Sequence, residues 1–125
     1  MSASEPATLS LTEVATAIAQ KRVSSREVTQ SCLARIGHWQ PRLNAFMAIE
    51  AEQALAAADA ADAALAKGRS LGALHGVPLA HKDMYYDAGK VVTCGSKIRR
   101  DQGLLRFDRH ERIQARLPLR DAVEA

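Results

Sequence analysis

The sequence predicts a domain of helices and strands: three helices, with a strand or extended segment between the second and the third, and a buried strand after the third. Two Ser-x-x-Glu sequences, Ser10–Glu13 and Ser24–Glu27, are each followed by apolar residues at helical spacing, which is typical of capped helix starts. Ten of the sixteen residues 51–66 are alanine, the strongest helix former. An apolar run beginning at Val77 stands between glycine-rich stretches and is typical of a buried strand.

Composition excludes several classes of protein. The 125 residues can form one domain with a core, and 47% hydrophobic with 25% charged residues is ordinary for a soluble protein. The sequence has no apolar run of about 18 residues and no secretory signal at its N-terminus, so we expect no membrane span and no export. Cys32 and Cys94 lack the spacing of metal or redox motifs, so we expect no metal site and a reduced, cytoplasmic setting.

The first two helices are expected over residues 10–20 and 24–39, with Pro41 breaking the second. Apolar stripes predict their buried faces, which comprise Leu11, Val14, Ala15 and Ile18 in the first helix and Val28, Cys32, Ile36 and Trp39 in the second. Cys32 and Trp39 are therefore interpreted as core residues.

A short apolar run and a third helix follow. Residues 44–49 suit a strand or an extended segment, and Glu50–Lys67 is predicted to be a helix that ends at Gly68, which can adopt the left-handed cap conformation. Asp59 and Asp62 are interpreted as part of the solvated face of this helix.

The central stretch is predicted to be a buried strand over Val77–Met84, with Pro78 near its start. Alternation places Lys82 on the face shared with Ala80 and directs Asp83 to the opposite face, where it is not the obvious partner of Lys82. Burial penalises the charged form of a lysine, which would make Lys82 a usable base. Taken alone, the pattern also fits an exposed lysine or a structural ion pair.

Other polar residues near this stretch have simpler interpretations. His75 and His81 are six residues apart, a poor spacing for metal ligands, so both are interpreted as structural histidines. Cys94 precedes Gly95 and Ser96, but the sequence places no base beside it, which disfavours a cysteine nucleophile. The sequence contains no phosphate-binding loop.

The chain resembles the amidase signature family. The residues that carry the resemblance are Leu74–Asp83, Ala88-Gly89 and Thr93–Ser96, preceded by the paired helices, an Asn-Ala-Phe segment at residues 44–46 and the Ala- and Asp-rich helix. The similarity runs in order from about residue 10 to residue 100. His81 departs from the aliphatic residue that many members have before the lysine.

The resemblance implies both a fold and a chemistry. The fold would be α/β, with the N-terminal helices and first strands of a large mixed sheet that is incomplete in this chain. Members hydrolyse small-molecule amides, or pass ammonia on in transamidation, with a Ser–cis-Ser–Lys triad and no cofactor. Lys82 is at the position of the catalytic lysine, the base that draws a proton through the bridging serine from the nucleophile. Gly72, Gly76 and Gly89 are at the positions of glycines in the family's turns.

The chain departs from the family beyond residue 100. The Gly/Ser-rich signature that carries both serines of the triad is absent, and no serine follows Ser96. Seven of the twelve arginines lie in residues 99–125. Residues 1–9 are small and polar, and we expect them to form a disordered tail. Residues 10–100 would be the N-terminal part of an amidase domain. Residues 101–125 would be a divergent Arg-rich tail that reflects a truncated or frameshifted gene. Such a fragment would be inactive alone.

Three alternatives remain open at this point. The tail could be a basic helix or bind nucleic acid, which the interspersed acidic residues and the lack of aromatic residues for stacking disfavour. The chain could be a non-catalytic helical interaction module. It could also be one component of a larger enzyme, similar to the A subunit of an amidotransferase, that an oligomer or another chain carrying the serines completes in trans.

Overall fold

Three α-helices form the framework of the part of the chain that the structure, a computed structural model, describes. That part comprises residues 5–85 and 92–98. The helices are α1 (Leu11–Ala19), α2 (Ser25–Leu43) and α3 (Ala51–Ala66). The chain divides into two units between Leu79 and Ala80, and all three helices belong to the first unit.

A short 3-10 helix, Pro6–Thr8, precedes α1. Its central residue, Ala7, donates its backbone N–H to Ser31 Oγ of α2 at 3.1 Å, and Leu9 packs against the hydrophobic core. Residues 5–9 lie in the stretch for which the sequence predicts disorder. The domain boundaries proposed after residues 9 and 100 stay predictions.

The starts of α1 and α2 confirm the predicted capping boxes. Ser10 Oγ accepts from the Glu13 N–H at 3.4 Å, while Glu13 Oε2 accepts from the Ser10 N–H at 2.8 Å. Ser24 and Glu27 make the same two bonds at 3.0 and 2.8 Å. These bonds favour the ionised carboxylate and so lower the pKa of both glutamates. The largest contribution comes from the Ser10 hydroxyl for Glu13 and from the Ser24 N–H for Glu27.

The ends of α1 and α3 are Schellman motifs. In α3, Gly68 adopts φ 73° and the Arg69 N–H returns to Ala64 O at 3.0 Å, which confirms the predicted stop. In α1, Lys21 takes the same place with φ 56°, and the Arg22 N–H returns to Ala17 O at 2.8 Å. A lysine in this left-handed conformation is less favourable than a glycine, so the chain tolerates some strain where α1 turns toward α2.

The hydrophobic core of the first unit is small. Val14 and Ile18 of α1 meet Val28 of α2, and each such side chain contributes roughly 1.5–3 kcal/mol when fully buried. Partly buried side chains pack around them: Leu9, Val23, Cys32, Leu65 and Val77. A core of this size leaves much of the orientation of α2 against α3 to polar contacts.

The main polar contact between α2 and α3 is made by Asp62. Its Oδ1 accepts from the Ser25 N–H at 2.8 Å and its Oδ2 from the Arg26 N–H at 3.1 Å. The Ser24 hydroxyl accepts from the Glu27 N–H, so the first three N–H groups of α2 all have acceptors. The interpretation of Asp59 and Asp62 as a solvated face is therefore wrong for Asp62, and Asp59 forms an exposed ion pair with Arg26.

A second contact attaches the segment after α3 to the start of α2. The buried Ser25 donates its hydroxyl to Gly76 O at 2.5 Å. Gly76 has φ 75°, and a Cβ added to it would lie 3.0 Å from Ser25 Cβ. The close approach and the positive φ together explain why a glycine occupies this position.

The predicted α/β class is wrong for the described residues, which are helical and include no strand. Residues 77–82 have no regular structure and lead into a turn at residues 83–84. Within residues 44–49, the backbone of Ala45 and Phe46 bonds to the Gln40 side chain instead of to a neighbouring strand. Its Oε1 accepts from the N–H groups of Ala45 and Phe46, and its Nε2 donates to Phe46 O.

Two further predictions for α2 are wrong, and one holds in part. The helix continues through Pro41 and ends at Leu43, because a proline this close to the end removes only one helical hydrogen bond. Trp39 is 42% exposed rather than in the core, with the Arg42 guanidinium 5.8 Å from its ring centre. Cys32 is half-buried against the core, and this desolvation raises the pKa of its thiol.

None of the helices in the described ranges is both long enough and apolar enough to cross a lipid bilayer.

We predict that Asp62→Ala destabilises the fold by about 1–2 kcal/mol, because two N–H groups at the start of α2 lose their acceptor. Urea unfolding followed by far-UV circular dichroism measures the change. Asp59→Ala is the matched control, since it removes an exposed ion pair and should cost about 0–1 kcal/mol. Equal losses for the two variants would contradict the role assigned to Asp62.

A second prediction concerns Gly76→Ala, which should lower the free energy of unfolding by at least about 1–2 kcal/mol because an L-residue is disfavoured at this φ. Contact with Ser25 adds to that cost. Gly37→Ala is the control: it lies within α2 with open space around its Cβ position, so it should raise stability by roughly 0.5–1 kcal/mol. The same urea titration tests both variants, and a stable Gly76→Ala protein would refute the prediction.

Candidate functional site

The candidate site lies in the second unit, where the predicted catalytic lysine is part of a turn. The Lys82 carbonyl oxygen accepts from the Met84 N–H at 2.6 Å and from the Tyr85 N–H at 3.2 Å. The Lys82 side chain is exposed. The expectation that Lys82 lies on the buried face of a strand is therefore wrong, because the N–H groups after it close a local turn instead of pairing with another strand.

A second turn is formed by Thr93–Ser96. The Ser96 N–H donates to Thr93 O at 2.8 Å, and the two central residues, Cys94 and Gly95, have φ 50° and 75°. Positive φ at both central positions defines a type I′ turn. Gly95 suits this conformation, whereas Cys94 adopts it at a cost of about 1–2 kcal/mol.

Asp83 joins the two turns. Its Oδ1 accepts from the Thr93 N–H at 3.1 Å, and its Oδ2 accepts from the Thr93 hydroxyl at 2.5 Å and from the Gly95 N–H at 3.4 Å. The Gly95 N–H also donates to Thr93 Oγ1 at 3.1 Å, which closes a ring of hydrogen bonds. These donors lower the pKa of Asp83, the Thr93 hydroxyl most of all, and the positive charge of Lys82 adds the smallest contribution.

The structure therefore brings together two of the sequence stretches identified above, the lysine segment and Thr93–Ser96. The residue that joins them was missed, because sequence reasoning assigned no partner to Asp83. Its oxygens bind a backbone N–H and a hydroxyl ten residues later, and no local pattern encodes that pairing. The third stretch, Ala88-Gly89, lies outside the described residues, as does the Arg-rich tail over 101–125.

His75 is a structural residue of the first unit, as predicted. The Leu71 N–H donates to His75 Nδ1 at 3.2 Å, so Nδ1 is an acceptor and Nε2 carries the proton that it donates to Ala61 O at 2.9 Å. His81, in the second unit, is exposed and packs edge-on against Tyr85 with ring centres 6.3 Å apart. Among residues 5–85 and 92–98, no three His, Cys, Asp or Glu side chains are placed to hold a metal ion.

An open groove of about 680 Å³ lies between α3 and the segment that follows it. Its walls are small and apolar, and are formed by Ala57, Ala60, Ala61, Ala64 and residues 71–76. The one ionisable side chain on these walls is His75, which already bonds to Leu71 and Ala61. The groove therefore supplies neither a nucleophile nor a base.

The chain belongs to the amidase family. The family model described as Amidase matches residues 27–103, which is more than half of the chain and includes both turns of the candidate site.

Curated relatives agree with this assignment. Three of them carry the name of the A subunit of glutamyl-tRNA(Gln) amidotransferase. Those from Halorhodospira halophila and Acidothermus cellulolyticus are each 50% identical over 86 residues, which is 69% of this chain and 18% and 17% of the relatives' lengths. That from Thiobacillus denitrificans is 48% identical over 89 residues, which is 71% of this chain and 18% of the relative.

The chain thus spans less than a fifth of the relatives it matches. No solved structure shows significant similarity to it.

We predict that acid breaks the Asp83 ring of hydrogen bonds. The folded pKa is lowered, so the contribution of the ring to stability is complete above the ordinary aspartate value of about 3.9 and is lost as the pH falls through the lower folded pKa. An NMR titration of the Asp83 side-chain carboxyl carbon and the Thr93 N–H measures the midpoint. Thr93→Val removes the largest cause and should raise the midpoint. A wild-type midpoint at or above the ordinary value would contradict the assignment.

Proposed function

We propose that this chain supplies the lysine-bearing part of a site that hydrolyses C–N bonds of amides, with Lys82 as the base. The observation that carries the proposal is the ring of hydrogen bonds around Asp83, which holds the lysine segment against Thr93–Ser96. Both segments fall within the stretch that matches the amidase family. The serines of the triad come from polypeptide outside these 125 residues, which contain no Gly/Ser-rich signature.

The proposed reaction is acyl transfer to a serine. Lys82 in its neutral form accepts a proton through the bridging serine from the nucleophilic serine, whose oxygen attacks the amide carbonyl carbon. The tetrahedral intermediate collapses, the C–N bond breaks, and the proton returns to the departing nitrogen, which leaves as ammonia from a primary amide. Water then hydrolyses the acyl-serine with the same lysine as base. The exposed Lys82 side chain is accessible for this role.

The relatives suggest a substrate class and a partner. They are named as subunits of an amidotransferase for glutamyl-tRNA(Gln), so a small primary amide that releases ammonia is the substrate to test first. A polypeptide that carries the serines is the partner, whether it continues this chain or associates with it. A non-catalytic interaction module is the competing function, and the same experiment separates the two.

The test joins this chain to the part of the Halorhodospira halophila relative that lies beyond the matched segment, both as two polypeptides mixed together and as one fused polypeptide. Ammonia release from glutamine and from a simple aliphatic amide is measured. We expect no release by the 125-residue chain alone and release by the fusion. Lys82→Ala should lower the rate by about 10²–10⁴-fold, the usual contribution of a general base.

Lys67→Ala is the matched control, since it removes an exposed lysine beside the end of α3 and should leave the rate unchanged. A fusion that folds but releases no ammonia, or one in which Lys82→Ala retains full activity, would overturn the proposal. The first outcome would favour the interaction module.

A further inference from the structure

We infer that Asp83 is a positioning residue, which fixes the backbone from which the Lys82 side chain extends by anchoring the lysine turn to the Thr93–Ser96 turn. This inference rests on the proposed function, because it assigns a role within the same site. The bonds of Asp83 go to Thr93 and Gly95. It acts through the backbone of its neighbour.

The carboxylate of Asp83 holds both turns at once. One oxygen binds the Thr93 N–H, and the other binds the Thr93 hydroxyl and the Gly95 N–H. Two oxygens bound to three donors fix the carboxylate in both position and rotation. The turn that these donors belong to is itself closed by the bond from the Ser96 N–H to Thr93 O.

The same bonds restrain Lys82, because a single peptide link separates it from Asp83. A local turn also restrains this peptide link, because the Lys82 carbonyl oxygen accepts hydrogen bonds from the N–H groups of Met84 and Tyr85. The lysine side chain is exposed, so side-chain packing within the described residues does little to restrain it. The restraint on Lys82 therefore acts at its backbone, where the local turn and the bonds of Asp83 together set the point from which the side chain extends.

This restraint matters for the proposed chemistry because a general base must lie within hydrogen-bond reach of the proton that it accepts. A misplacement of about 1 Å can cost roughly 100-fold in rate, even when the displaced group is chemically intact. Losing the Asp83 anchor would leave Lys82 present and ionisable but wrongly placed.

Asp83→Asn is the sharpest variant, because an amide has one oxygen where the carboxylate has two. If the amide oxygen faces the Thr93 N–H, the amide nitrogen faces the Gly95 N–H. In the opposite orientation, the amide nitrogen faces the Thr93 N–H. In the first orientation the Thr93 hydroxyl can turn to accept from the amide nitrogen, so only the bond from the Gly95 N–H is lost; in the second the bond from the Thr93 N–H is lost. Each orientation therefore removes at least one of the three bonds that the carboxylate accepts.

The experiment uses the fusion described above with three variants of the anchor. We expect Asp83→Asn and Thr93→Val to lower kcat by about 10–100-fold with little change in KM, since positioning of the base affects the transition state more than substrate binding. Thr93→Ser keeps the hydroxyl and should lose less than about threefold. Asp59→Asn, an exposed aspartate of α3, is the control and should leave kcat unchanged.

Two further measurements separate positioning from simple unfolding and from failure of the proposed function. The melting temperature of each fusion shows whether the variant is folded. In the 125-residue chain alone, NMR follows the amide of Lys82 and the rotamer populations of its side chain, which Asp83→Asn should change together with the amides of Thr93 and Gly95.

Each outcome decides the inference. Full activity of Asp83→Asn, in a fusion where Lys82→Ala is inactive, would overturn it and leave the proposed function standing. If no fusion is active, the proposed function fails. The NMR measurement then shows whether Asp83 restrains Lys82. Unchanged Lys82 signals in Asp83→Asn would show that the anchor does not act on the lysine.

Discussion

The fold of the first unit depends on the carboxylate of Asp62 at the start of α2. Asp62 belongs to α3, 36–37 residues later in the sequence. Its two oxygens accept hydrogen bonds from the first two N–H groups of α2. The buried hydrophobic cluster between α1 and α2 consists of Val14, Ile18 and Val28, so apolar packing alone fixes little of the geometry. The Asp62 carboxylate of α3 lies at the positive end of the α2 dipole. It therefore stabilises α2 and also orients it against α3. The contact of Ser25 with Gly76 then fixes the segment that follows α3.

Asp83 connects two segments of the second unit in a similar way. Both aspartates use two oxygens to bind backbone N–H groups of another segment, and in both cases those groups belong to a tightly turned backbone. The donors differ in one respect, because Asp83 also takes the Thr93 hydroxyl. A carboxylate is suited to this role since it accepts several bonds without needing a donor in return.

The sequence predicted features whose causes are local. The capping boxes at Ser10 and Ser24 and the stop at Gly68 each depend on residues within one helical turn, and all three are confirmed. The partners of Asp62 and Asp83 could not be predicted, because a lone aspartate fits a solvated face as well as a long-range acceptor. The strand prediction failed for a related reason. A segment such as Val77–Met84 becomes a strand only where a neighbouring strand supplies its hydrogen bonds.

The candidate site follows the same division. The assignment of Lys82 as the base comes from its motif and stays a prediction. The burial expected for Lys82 is wrong, because Val77–Met84 forms no strand among the described residues. Under the proposed function, the exclusion of water that a lysine base needs must come from the polypeptide that brings the serines. Assembly of the triad and desolvation of the lysine would then be one event. Under the same proposal, this chain contributes beforehand the placement of the Lys82 backbone, which we infer is restrained by the bonds of Asp83 to Thr93 and Gly95.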